Sequence, residues 1–328
     1  MKLLCWHLES PVCGELFAHQ ADYISTHLRG AQASDKGRNA IVSDWNNALK
    51  AGFDVENLQW PAWLLNSPIG REIEASLPQV VMPGAAVGAV SAEMVSRFGF
   101  PSDCQVVAGT TDSIAAFLAA GVTEPGHAVT SLGSTLAVKM LSEQRVEDVS
   151  LGVYSHRLGG GRGEESQGQG LWLVGGASNV GCAVLREEGF EVDELQELSS
   201  KIDPLRDSPL GKTYYPLRRT GGGERFPTND PTKKALLKPK PESRQEYLHA
   251  ILEAIARVEK EGYMALEALG ATKLERVATA GGGAENPMWT TMRQRILGVP
   301  TGECEGILRI CLDVWTHSLS DQDNRPVL

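Results

Sequence analysis

Apolar positions three and four residues apart mark the helices of the opening part of the chain. Residues 2–8 carry such a face, and so does HQADYISTHLRG, where Ala21, Ile24 and Leu28 fall on one side and Gly30 supplies a stop. SDWNNALKAGFD, residues 43–54, reads differently, as a polar turn followed by a short apolar piece. Residues 80–90 contain Pro83, Gly84 and Gly88 and read as loop and edge structure, and CQVVAG reads as a short buried strand. The residues from Asp112 to Gly121 are helical in pattern, and VTEPG is a turn. HAVTSLGSTLAVKML gives two β-type runs around a Leu-Gly-Ser-Thr corner, which predicts a hairpin.

The second half is patterned more strongly. LWLVGGASNVGCAVLREEG runs from a strand through Gly175 and Gly176 into a helix. Residues 201–242 are rich in Pro, Gly and basic residues and show little periodicity. SRQE is a capping box, with Ser243 at the cap and Glu246 three residues on. Tyr247, Ile251, Ile255, Val258, Leu266 and Leu269 then predict a long amphipathic helix that ends at Gly270. LERVATAGGGAENPMWTTMRQRILG predicts a strand, a triple-glycine turn, a cap at Asn286, Pro287 in the first helical turn and a helix to Leu297. Residues 159–170 are polar and Gly-rich and read as a loop, and residues 307–315 read as a short helix.

Composition narrows the functional classes. Of 328 residues, 42% are hydrophobic and 22% charged, which suits a globular chain large enough for two domains. The formal net charge of −10 argues against a nucleic-acid partner, because phosphate neutralisation needs clustered Lys and Arg. No apolar run approaches the roughly 20 residues of a membrane span. Six cysteines form no C-x-x-C and the seven histidines show no ligand spacing, so reduced intracellular thiols and no protein metal site are expected. Trp45, Trp60 and Trp63 suit packing better than a sugar platform, and the basic run over residues 232–244 suits a solvated loop better than a phosphate clamp.

Three strand-to-glycine corners recur, around Asp112, at Gly133 and at Gly281–Gly282–Gly283. Glycine lets backbone approach a ligand closely, turn amides can face anionic oxygens, and a helix N-terminus adds partial positive charge. Ser134 and Thr135 add hydroxyls beside Gly133. Taken one at a time, a tight hairpin is the better explanation of Gly133, and close strand–helix packing the better explanation of the triple glycine. Asp112 ends a strand and opens a helix in apolar flanks. One reading is a helix cap; the other is a partly desolvated general base that takes a hydroxyl proton from a substrate attacking a phosphoryl group.

In order and wording these corners resemble the FGGY family of carbohydrate kinases. VVAGTTDSIAAFLAAG resembles the family's glycine-turn-Asp segment, VTSLGSTLAV its second phosphate hairpin, and VATAGGGAENPMWTTMRQRILGVP its adenosine motif; AHQADYISTHLRG and SDWNNALKAGFD resemble segments of its first domain. The wording is most similar to the plant and cyanobacterial branch of D-ribulose and xylulose kinases. The resemblance implies an α/β, actin-like ATPase (ribonuclease H-like) fold with two lobes and a cleft between them. It implies ATP and Mg²⁺ as cofactors, a pentulose as substrate, and Asp112 as the catalytic base. Gly133, Ser134 and Thr135 would then lie at the β- and γ-phosphates, and Gly281, Gly282, Gly283 and Asn286 at the nucleotide. The implied domains are residues 1–120, the remainder of a first lobe; 121–301, the nucleotide-binding lobe; and 302–328, a divergent tail. The family's opening Asp-x-Gly-Thr hairpin and its closing helix are not found, so the first lobe is expected to be incomplete. The alternative expectation is accordingly a non-catalytic nucleotide-binding module or an inactive product. Cytosol and plastid both fit, and the sequence does not fix the oligomeric state.

Overall fold

The computed structural model describes residues 2–11, 14–30, 40–160, 170–219 and 222–303. The polar loop expected over 159–170 falls mostly outside these residues, and the helix expected over 307–315 and the tail from 304 onward do so entirely. Contacts divide the chain into a first unit running to Ala115 and a second beginning at Ala116.

The first unit opens with helices α1 (Lys2–Glu9) and α2 (Gln20–Arg29). Gly30 ends α2 in the left-handed conformation at φ 62°, as a C-terminal glycine should. The stripe that predicted α2 does not face a core within the unit: Ile24 is 55% exposed, and the buried residue of the helix is Asp22. Asp22 accepts from the His19 backbone amide at 2.9 Å and lies 3.0 Å from the His19 ring nitrogen, closing the helix start. Strand β1 (Val42–Asp44) pairs in parallel with β2 (Gln79–Val81); helices α3 (Trp45–Leu49), α4 (Ala62–Leu65) and α5 (Pro68–Ile73) lie between them in the chain. Strand β3 (Ala86–Ala89) pairs antiparallel with β4 (Gln105–Val107) across helix α6 (Ala92–Phe98). Within β4 only Val106 is buried, so this strand is half-exposed rather than buried throughout. Helix α7 (Asp112–Ala119) follows and runs through the unit boundary.

The segment read as a polar turn is a buried polar corner. Ser43, Asp44, Asn46 and Asn47 are all buried, as are Trp45, Phe53 and Trp60, while Trp63 is exposed. Their polarity serves internal hydrogen bonds. Asp44 Oδ1 accepts from the amides of Asn46 and Asn47 at 2.9 and 3.0 Å, capping α3, and its Oδ2 accepts from Asn47 Nδ2 at 2.6 Å.

The second unit is built on a mixed sheet ordered β10-β9-β5-β6-β8-β7. β5 (His127–Leu132) and β6 (Leu136–Ser142) form the expected hairpin; β7 (Tyr154–Gly160) and β8 (Gly170–Ser178) extend it antiparallel. After α8 (Ala183–Glu187), α9 (Val192–Ser200), an irregular stretch and α10 (Arg244–Ala268), the chain returns as β9 (Arg276–Ala280), parallel to β5. Helix α11 (Pro287–Leu297) then leads to β10 (Thr301–Glu303), parallel to β9. α10 packs on β6, β8, α9 and α11, which explains why its apolar stripe is wide. The Phe226 ring fills the gap between helix and sheet, and a Cβ at Gly176 of β8 or at Gly262 of α10 would stand 2.6 or 2.8 Å from it.

Candidate active site

In the second unit the sheet register brings together corners that lie far apart in sequence. β5 and β9 are parallel neighbours with Ser131 opposite Ala280, so the turns after both strands leave the same edge of the sheet. Gly281 takes φ 85°, and a Cβ on it would lie 2.8 Å from the Leu132 carbonyl oxygen and 3.4 Å from the Gly133 nitrogen. A Cβ on Gly283 would stand 2.6 Å from Leu132 Cβ and 2.8 Å from the Trp289 ring. The triple glycine thus nests against the Gly133 turn, and only glycine permits that approach. Gly281, Gly282 and Ser134 are exposed, with Gly133 and Thr135 half-buried, so this edge is open.

The strand-to-helix passage after β8 closes around the same turn, and nothing in the sequence pattern singled it out as part of the site. Cys182 donates its amide to the Gly133 carbonyl at 2.9 Å, and Leu136 donates to the Val180 carbonyl at 2.6 Å. A Cβ on Gly181 would stand 2.5 Å from the Ser134 oxygen and from Thr135 Cα. The passage is shaped by Glu224, a buried carboxylate that accepts from Ser178 Oγ at 2.7 Å, from the Asn179 amide at 2.8 Å and from the Tyr215 hydroxyl at 2.9 Å. Burial and the Glu224 charge together push the Tyr215 hydroxyl well above its ordinary range, so it stays a donor. GASNVGC shares a glycine between strand and helix with the other corners, but that resemblance alone does not mark Gly181 as part of the site.

Beneath these turns lies an ion pair with no access to water. Arg293 of α11 donates Nε and an Nη atom to the two Glu259 oxygens of α10, at 2.7 and 2.6 Å, and both residues are 0% exposed. The other Nη atom reaches Thr279 Oγ1 in β9 at 2.7 Å, and Glu259 also accepts from Thr130 Oγ1 in β5 at 2.5 Å. Burial works against the charge on Arg293, but the adjacent Glu259 outweighs it and holds the guanidinium above the usual arginine range. The network ties both helices to the two strands that carry the corners.

Asn286 takes the expected cap position. Its Oδ1 accepts from the Trp289 amide at 3.0 Å, while its Nδ2 donates to Ser199 Oγ at 2.8 Å, so both ends of the amide are engaged within the protein.

In the first unit, Asp112 opens α7 and is exposed, so the partial desolvation expected for it is not found there. Its Oδ1 accepts from the next amide, Ser113, at 2.7 Å, leaving the second carboxylate oxygen for a donor from outside the turn. The neighbouring Thr111 is buried, and the backbone carbonyl of Thr111 accepts the amides of Ile114 and Ala115. Among the described residues no group of three or more His, Cys, Asp and Glu is placed to hold a metal ion, and no helix is long and apolar enough to cross a membrane.

No protein-family model matches the chain. Among curated proteins it is similar to the xylulose kinase of Lactococcus lactis subsp. lactis, 25% identical over 274 residues, covering 81% of this chain and 50% of that protein. It is also similar to the xylulose kinase of Staphylococcus epidermidis, 22% identical over 253 residues, covering 75% and 48%. The chain therefore spans about half the length of the curated relatives it matches. Among solved structures, the ligand-bound xylulose kinase from Lactobacillus acidophilus superposes with TM-score 0.71 at 17% identity, over 98% of this chain and 64% of that one. The Plasmodium falciparum glycerol kinase with ADP gives TM-score 0.71 at 15% identity, over 98% and 66%. The glycine corners gathered at one sheet edge thus sit on the actin-like ATPase fold of the FGGY-type sugar kinases.

Proposed function

We propose that the chain carries ATP-dependent phosphorylation of a ketopentose, D-ribulose or D-xylulose, at its terminal hydroxyl. The observation that carries this reading is the convergence of three backbone corners, Gly133–Thr135, Gly181–Cys182 and Gly281–Gly283, at one open sheet edge. Such an edge, with turn amides and hydroxyls and no bulk, suits a polyphosphate. In this reading Gly133, Ser134 and Thr135 take the β- and γ-phosphates, and the triple glycine lies against the nucleoside. Asn286 serves by fixing the start of α11, since its own amide is occupied. Mg²⁺ would be held through the nucleotide's phosphates rather than by a cluster among the described residues, and when bound it would supply charge neutralisation at the transferring phosphoryl group.

Asp112 is the base. Its carboxylate takes the proton of the sugar's terminal hydroxyl, the resulting oxygen bonds to the γ-phosphorus, and the bond to the ADP oxygen breaks. Catalysis of this kind rests on positioning and electrostatics. Pentulose is preferred as substrate because the similar curated proteins are xylulose kinases.

A second reading is a nucleotide-binding module without turnover, and it is favoured by Asp112 being exposed with its Oδ1 engaged by the Ser113 amide, as a helix-start carboxylate would be. Two measurements on one preparation separate them: calorimetric titration with Mg·ATP, and coupled ADP release with D-xylulose, D-ribulose, glycerol and gluconate. Sugar-dependent ADP release with a pentulose supports the kinase. Binding without release supports the module, and absence of binding removes both.

A further inference from the structure

Asn46 is 1% exposed in the first unit and uses its amide unequally. Its Nδ2 donates to Thr110 Oγ1 at 3.1 Å, across 64 residues of sequence. Its Oδ1 is equally buried and has no hydrogen-bond partner among the described residues. An unpaired carbonyl oxygen in the interior costs about 1–3 kcal/mol, a penalty that a leucine of similar volume would avoid. The amide is therefore explained by the bond its other end makes.

That bond lands on the turn that presents Asp112. The β3–β4 ladder continues as far as Ala108, which donates to the Ala85 carbonyl at 2.8 Å and accepts from the Gly84 amide at 2.8 Å. Helix α7 takes over at the Thr111 carbonyl. Between them lie Gly109 and Thr110, and no atom of the described residues lies within 4 Å of where a Gly109 Cβ would be, so their packing does not clamp the turn there. The Asn46–Thr110 bond ties this stretch to an element distant in sequence. Asn46 can serve as an anchor because Asp44 caps α3 through the amides of Asn46 and Asn47.

We propose that Asn46, acting through Thr110, is a positioning residue that holds the turn from which Asp112 projects. The proposal rests on the reading of Asp112 as the base. It also makes a claim about the turn that stands apart from turnover.

The test compares Thr110→Val, which keeps the shape and removes the acceptor, with Thr110→Ser, which keeps the hydroxyl, and with Asn46→Leu. Amide hydrogen exchange is followed over residues 109–113, and kcat and the KM for ATP are measured on the same samples. In Thr110→Val and Asn46→Leu the exchange of this turn rises about fivefold to tenfold, as for loss of one hydrogen bond. In the same variants kcat falls about tenfold to a hundredfold for a displaced base, with the KM for ATP unchanged. Thr110→Ser restores both. Wild-type exchange in Thr110→Val, or no rescue by serine, overturns the proposal. If Asp112→Asn turns over like wild type, the base reading fails instead, and the exchange measurement still decides whether Asn46 holds the turn. If Asn46→Leu fails to fold, the threonine pair decides alone.

Discussion

At Cys182 a thiol sits against the Gly133 turn, with Sγ 3.6 Å from the Leu132 carbonyl oxygen. Burial pushes its pKa from the ordinary 9.0 up to about 11, only partly offset by Arg293. The thiol is thus neutral and unreactive where an exposed one is partly ionised. Iodoacetamide at pH 8 is expected to alkylate the exposed Cys5 and spare Cys182, as read by peptide mass spectrometry. The sign for stability follows: between pH 9 and 11 the unfolded chain loses this proton and the folded chain keeps it. Wild type should therefore lose stability relative to Cys182→Ala as pH rises through that window. Arg293 and Glu259 make a second residue-scale case, because removing one partner strands the other as a buried charge. Arg293→Ala is expected to destabilise by about 3–5 kcal/mol in urea unfolding, and replacing both residues by Leu or Met should cost less than the single change. Gly281 and Gly283 were legible in the sequence because successive glycines after a strand mark a backbone bend that side chains would obstruct. Gly181 and the Glu259–Arg293 pair were not legible, since their roles come from contacts between residues tens of positions apart.

Among the elements, those whose signals are local match the reading closely. Ser243 Oγ accepts the Glu246 amide at 3.3 Å, the cap half of the expected capping box, while no return bond from the Glu246 side chain to the Ser243 amide is found; α10 runs to Ala268 before Gly270 at φ 103°. Ser243→Ala should cost about 1 kcal/mol, measured as a shift of the urea midpoint with unchanged slope. The hairpin β5–β6 and the β9-to-α11 joint were also legible, because turn glycines, an N-cap Asn and an N1 Pro are chemical requirements of the backbone at those places. Elements that depend on distant partners were misread. Periodicity gave α2 correctly as a helix, but it could not tell that Asp22 rather than Ile24 would be buried. The Ser43–Asn47 corner reads as a polar turn in sequence. It is buried because its polar groups satisfy one another through Asp44 and reach Thr110 through Asn46.

The whole molecule distributes the proposed chemistry over two units: the acid opens α7 in the first, and the glycine corners belong to the sheet edge of the second. If the division is functional, substitutions in the two units should fail in different ways. Asp112→Asn leaves every corner of the second unit intact, so Mg·ATP affinity should stay within about twofold of wild type. Sugar-dependent ADP release should fall by about two orders of magnitude or more, the scale of a lost general base. Gly181→Val puts a branched side chain where even a Cβ would meet the Ser134 oxygen and Thr135 Cα at 2.5 Å. Those are backbone and Cα atoms that cannot rotate away, so the Gly133 turn itself must move. Its expected failure is in nucleotide affinity, by about tenfold or more, with the first unit's amide-exchange pattern unchanged. Calorimetry and the coupled assay on both variants decide the matter. Equal loss of ATP affinity in both would mean that Asp112 serves the nucleotide rather than the sugar, and full turnover in Asp112→Asn would take the base from the mechanism.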